Sequence, residues 1–165
     1  MKSKLNIWLL ASFLLAGLVT LWLYARITSE VGEIHYDSSL DSEEFSPCGD
    51  YKIYQYHDID THYQGGEKAI GKAILSKIDA DGLPKNGLLT VRFVVNCKGD
   101  TGYFRTKMVD SNIREVEVPR NVSKKLYDLI SGLKGWVPGK IQDEPMDSYA
   151  QVVFKLENGK VTDIF

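Results

Sequence analysis

The run "HDIDTH" places His57, Asp58, Asp60 and His62 within six residues. Imidazoles and carboxylates are metal-capable groups. Their spacing here matches no standard metal site, and the segment reads as an exposed loop, so neither a metal nor another cofactor is expected. Serine, histidine and aspartate all occur, but no Gly-x-Ser-x-Gly elbow or other frame for an activated nucleophile does. The sequence therefore reads as a non-enzyme. The remaining reactive side chains are the two cysteines, Cys48 and Cys97. What they do depends on the compartment they occupy.

The N-terminus addresses the compartment. Residues 6–25, "NIWLLASFLLAGLVTLWLYA", carry no charge. About 20 apolar residues at ~1.5 Å rise span the ~30 Å hydrocarbon layer of a bilayer. Lys2 and Lys4 precede the run and Arg26 follows it, after which acids dominate. Basic residues in short flanks stay cytoplasmic, which predicts an anchor over 1–26 with its N-terminus inside and the rest outside. Trp8, Trp22 and Tyr24 lie near the ends, where amphipathic rings favour the interface. A cleaved signal peptide is the rival; it expects a shorter apolar core and a small-x-small site. Either reading exports the remainder. Outside the cytoplasm thiols are oxidised, and two cysteines make one bridge. A Cys48–Cys97 bridge closing a loop of ~50 residues stabilises by roughly 4 kcal/mol in the chain-entropy account. The alternatives are two separate buried thiols or, less in keeping with the absence of C-x-x-C, a redox pair.

Charge divides the exported part. From Glu30 to Tyr63 there are nine acids and one base; from Gln64 to Phe165 there are 16 bases and 13 acids. Residues 27–63 read as an acidic, solvated linker with an extra strand expected at 51–59. "EKAIGKAILSKI" has Ile70, Ala73, Ile74 and Ile78 at helical spacing. "VRFVVNCKGDTGYF" alternates, turns at Gly99 and alternates again, predicting a hairpin of Leu88–Cys97 with Tyr103–Val109. Val122, Leu126, Leu129, Ile130 and Leu133 mark a second helix, with Asn121 as its expected N-cap. Lys124, Lys125, Lys134 and Lys140 give that helix and its exit a basic, solvated face. "SYAQVVFKLE" alternates, and Asn158-Gly159 turns it back into 160–165. One apolar face per strand and one stripe per helix predict an α+β fold. It has two layers, two helices on one face of a three- to four-stranded antiparallel sheet, beside the N-terminal transmembrane helix.

Residues 64–165 resemble the C-terminal domain of the TonB family of periplasmic energy transducers. The resemblance rests on Leu83-Pro84, then Gly87 opening "LLTVRFVVNCKGDTG"; on Trp136, Pro138 and Gly139 in "GWVPGK"; and on "VVFKLENGKVTDIF". "YQGGEKAIGKAI", "NCKGDTG" and the cysteine pair are similar to short TonB-like proteins of the Bacteroidetes. The family implies a protein of the inner membrane whose periplasmic domain binds an outer-membrane receptor peptide as an added strand. The border implied for docking is the strand Tyr149–Glu157, with Tyr149, Gln151, Val152, Val153 and Lys155, flanked by or exchanging with 160–165. The family also implies coupling to a proton-driven inner-membrane motor, and a homodimer is compatible with it; no nucleic acid is expected.

Three departures separate this chain from the transducers. The anchor has Ser12 and Thr20 but not the family's intramembrane histidine. The stretch 27–64 has one proline, Pro47, where family linkers are long and proline-rich. Before the second helix the family's Gln-Pro-x-Asn-Met is replaced by Val118-Pro119-Arg120-Asn121-Val122, which keeps Pro119 and Asn121 only. These departures suit an alternative, a short-tethered scaffolding module that exerts no force.

Overall fold

The computed structural model describes every residue except Met1, Val31, Asp50, Tyr51, Tyr56 and Asp79, and only the backbone of residues 2–5 and 26–30. The chain divides into two units, Met1–His35 and Tyr36–Phe165. The first holds helix α1, Lys2–Glu30. Its stretch Asn6–Ala25 is long and apolar enough to cross a membrane, a property a signal sequence shares, and all of it is exposed. Ser12 and Thr20 donate their hydroxyls to the carbonyls of Leu9 and Ala16 within the helix, so neither polar group is left bare. The flanking charges of Lys2, Lys4 and Arg26 lie outside the described side chains.

The second unit runs β1 (His62–Tyr63), α2 (Gly66–Ile74), β2 (Gly87–Val95), β3 (Thr101–Asp110), β4 (Glu115–Val116), α3 (Arg120–Ser131), β5 (Trp136–Val137), β6 (Lys140–Ile141), β7 (Glu144–Pro145), β8 (Ser148–Glu157) and β9 (Lys160–Ile164). Five strands form one antiparallel sheet in the order β4-β3-β2-β8-β9. Alternation sets its faces. Leu89, Val91, Phe93 and Val95 of β2 share one side with Ala150, Val152, Phe154 and Leu156 of β8, because Leu89 pairs with Phe154 and Val91 with Val152. Ile70 and Ile74 of α2 and Val122, Leu126 and Ile130 of α3 enter the same buried cluster. Each such side chain contributes about 1.5–3 kcal/mol on burial. The sheet is thus one strand larger than the widest expected.

Two local expectations shift. Asn121 is exposed in the first turn of α3, and Pro119 takes the cap position with φ −56°. Its carbonyl accepts the N–H of Val122 and of Ser123; proline's fixed φ suits a helix start. The expected strand at 51–59 reduces, in its described residues, to one parallel bridge between Tyr54 and Ser148 followed by a turn, while Tyr51 and Tyr56 lie outside the described residues.

The larger correction concerns residues 27–63. From Tyr36 onward they are not a solvated linker but part of the compact unit, laid over the sheet's second face. On that face Arg92 and Arg105 stand directly opposite each other across β2 and β3, an arrangement that repels. The overlying segment, here called the strap, supplies their partners. Asp41, its side chain 1% exposed, takes a two-pronged bond from the Arg105 guanidinium at 2.7 and 2.8 Å. Gln55 accepts from Arg92 at 2.9 Å, and the Arg92 guanidinium rests 4.3 Å above the Tyr149 ring. Phe45 lies so close to Gly102 that a Cβ there would overlap its ring. The Tyr103 ring meets both Phe45 and Tyr36 edge-on. One acid of the front segment, Asp41, is thus matched to an arginine of the sheet, and the neutral Gln55 serves the other. Asp41→Ala removes the two-pronged bond and leaves the Arg105 guanidinium its bond to the Phe104 carbonyl; it is expected to lower stability by about 1.5–3 kcal/mol, read as a lower urea midpoint at unchanged slope.

Candidate functional site

Strand addition needs a sheet border with free main-chain groups, so the borders decide the site. β8 is not a border strand. It lies between β2 and β9, with Lys155 opposite Asp163 and Phe154 opposite Ile164. Val153 exchanges both main-chain bonds with Phe165, at 2.9 and 3.0 Å. Alternation then turns Val152 inward to Val91, so Val152 never presents its N–H outward. At the other end Tyr54 donates its N–H to the Asp147 carbonyl and accepts from the Tyr149 N–H at 2.8 Å. Of the five residues expected to receive a partner, Tyr149, Val153 and Lys155 are covered from outside, Val152 faces inward, and Gln151 alone stays exposed between the two covers. The physical reason is that the strap and 160–165 each satisfy backbone groups that water or a visitor would otherwise hold.

The outermost strand on that side, β9, is blunted. Ile164 directs its N–H to the carboxylate of Asp163 at 2.9 Å, and Lys160 and Asp163 are exposed charges along it. Charged side chains are a usual means of protecting a sheet border.

The opposite border differs. β4 pairs with β3 only at Met108 and Val109. Asp110 donates its N–H outward to the Arg114 carbonyl. Alternation along a regular strand turns Met108 and Thr106 the same way. Met108 is partnered by Val116, whereas no backbone bond reaches the outward groups of Thr106 among the described residues. Beside Thr106 runs an open groove of about 1450 Å³, bounded by the strap near Asp41, by β3 and by α3 near Lys124 and Tyr127. The Thr106 hydroxyl meets Ser123 and Tyr127 of α3 at 3.0 and 3.4 Å. Phe104 stacks on Tyr127 at 5.1 Å. The β3–β4 turn is built on Asp110, whose carboxylate accepts the N–H groups of Asn112 and Arg114 and the Arg114 guanidinium. The Arg114 N–H first, then the Asn112 N–H and the guanidinium, hold this carboxyl below the usual range.

Cys48 and Cys97 form the disulfide, with Cα atoms 6.0 Å apart. Sequence reasoning did not find what holds them. Asp147, fully buried, accepts the Cys48 N–H at 2.7 Å and the Cys97 N–H at 2.8 Å through its two carboxylate oxygens. The neighbouring Ser148 hydroxyl meets Thr61 at 2.5 Å, and Thr61 accepts the Gly139 N–H. Gly139 follows Pro138 and packs so tightly on Ile59 that a Cβ would collide. Trp136 packs on Phe93 and Tyr63, and its indole N–H meets no acceptor among the described residues. Pro84 lies in the loop before β2, and Gly87 opens that strand opposite Asp110 and Leu156. None of Pro84, Gly87, Pro119, Asn121, Trp136, Pro138 and Gly139 lines the outward groups of Thr106; Trp136, Pro138 and Gly139 join the strap-binding end instead.

The histidine run does not converge. His57 lies 3.4 Å from Asp58, and His62 lies 3.3 Å from Asp60, as separate exposed pairs. Among the described residues the group of three metal-capable side chains is Cys48, Cys97 and Asp147, and its sulfurs are bonded to each other. No protein-family model, curated protein or solved structure matches the chain.

Asp147→Asn leaves one acceptor oxygen for two N–H donors. It is expected to cost about 1–3 kcal/mol and to lower the yield of disulfide on oxidative refolding, counted as free thiols. A depressed carboxyl supports the fold above its unfolded pKa and loses that support as pH falls through the folded value. The Arg114 amide is therefore expected to lose exchange protection only below the ordinary carboxylate range, in step with the Asp110 titration followed by NMR.

Proposed function

We propose that this chain is a TonB-like periplasmic protein, anchored in the inner membrane, that holds an extended segment of an envelope partner against its sheet. Of the two roles that follow from the resemblance, the short-tethered docking module is favoured over the force transducer. The observation that carries this choice is the length of the tether. α1 ends at Glu30 and the compact unit begins at Tyr36. Counted from the expected end of the anchor, residues 27–35 would reach at most about 32 Å even if fully extended. The stretch 27–64, read as a free linker, would have reached ~130 Å. A domain held this close serves partners that come to the membrane, among them the N-terminal segment of an outer-membrane receptor. The anchor's lack of a membrane histidine supports the same choice.

Energy transduction is the second reading, supported by the family pattern over 64–165. Photocrosslinkers in the full-length chain in native envelopes test both. With the probe at Gln151 or at Lys107, adducts to an extended receptor segment are expected, and their absence from both borders removes strand docking. With the probe at Ser12 or Thr20, reproducible adducts to a proton-channel subunit would establish transduction in place of the passive tether.

A further inference from the structure

The two sides of the sheet are not equally available. The β8–β9 side carries Tyr54, Phe165 and the Asp163 cap, and the β3 side carries a two-residue strand that stops short. β4 stops because Pro119 begins α3 and carries the chain away. Its own sequence continues as Glu115-Val116-Glu117-Val118. Val116 sits opposite the buried Met108, and Val118 packs on the core. Glu115 reaches Lys107 at 3.3 Å on the other face. The molecule thus displays what this border accepts: apolar residues toward the core side and a carboxylate toward Lys107.

We infer that the outer border of β3 at Thr106 is the docking site for an extended peptide segment of a partner protein, one whose residues alternate acidic and apolar. The inference rests on the strand-docking reading above and relocates it. The N–H and C=O of Thr106, unmet by backbone among the described residues, suit an added strand, and β4 sets the antiparallel direction in which a visitor continues the ladder. On the core side the visitor's apolar positions meet the Phe104–Tyr127 stack and the hydroxyls of Thr106 and Ser123. On the other face its carboxylates stand near Lys107, as Glu115 already does, Arg105 being held by Asp41. The visitor enters the groove between strap and α3, which the Arg120 guanidinium ties together at the Ser39 carbonyl, 2.7 Å away. The disulfide and the Asp41–Arg105 pair keep the strap wall in place while it does so.

The probe is a fluorescent nonapeptide of alternating glutamate and valine, titrated by anisotropy against the full-length chain in detergent micelles. Saturable binding is expected, and a lysine–valine peptide of the same length is expected not to bind. Thr106→Pro removes the outward N–H, a change border strands tolerate, together with the hydroxyl that meets Ser123 and Tyr127. It is expected to weaken binding about tenfold or more, the scale of one lost hydrogen bond, relative to Thr106→Val, which lacks the same hydroxyl but keeps the N–H. In the wild-type chain, slowed exchange of the Thr106 amide on adding peptide gives the same answer without any variant. Equal affinity of Thr106→Pro and Thr106→Val, equal binding of the lysine–valine peptide, or an unprotected Thr106 amide at saturation would each overturn the assignment. Loss of binding in Gln151→Pro with Thr106→Pro unaffected would place strand docking on the other border, leaving the proposed function standing and this site refuted.

Discussion

A carboxylate removed from water has to be met by donors, and Asp147 is met by the amides of the two cysteines. Its main-chain carbonyl takes the Tyr54 N–H, and the next residue, Ser148, takes Thr61. Three segments that are distant in sequence, near 48, near 54 and near 97, are thereby gathered at the start of β8. The disulfide makes one of these attachments covalent. The strap depends on this point. Without it, an acidic stretch of low hydrophobicity has little reason to leave solvent, since its apolar contacts come down to a few side chains such as Tyr36, Phe45 and Ile59.

With the strap in place, the sheet is covered on both faces by different means. One face is an ordinary hydrophobic core under two helices. The other is polar and aromatic, in which Arg92 and Arg105 are held apart from each other by partners that come from the strap. This second face sets the character of the borders. Tyr54 covers one end of β8, β9 covers the other, and the strap's far part becomes a wall of the groove at β3. The same segment thus seals the border that the family resemblance would assign to a partner and frames the one left open.

The short tether follows from the same packing. The compact unit begins at Tyr36, so ten residues, 26–35, follow the apolar run Asn6–Ala25 before it.

The helices and the central strands were legible because each is decided by neighbours in sequence. Ile70 and Ile74, Val122, Leu126 and Ile130, and the alternation through 148–157 report their own faces without reference to the rest. The pairing of the two cysteines was expected from their parity and is present as Cys48–Cys97, and the apolar run over 6–25 was legible from its length alone. What sequence left undecided were contacts between polar residues far apart in the chain. Nothing local marks Asp147 as the acceptor of two cysteine amides, or Asp41 as the partner of Arg105 rather than a solvated acid. The nearest sequence signal was the acidic excess of 30–63 lying before a hairpin that carries Arg92 and Arg105, and it names no pairs. Border status is likewise a property of the assembled sheet. Whether the strand at 149–157 is open depends on where Tyr54 and Phe165 come to rest, and a strand's alternation is the same with or without a neighbour beyond it. Periodicity encodes which side of an element is apolar; only tertiary packing decides which of its backbone groups remain unmet.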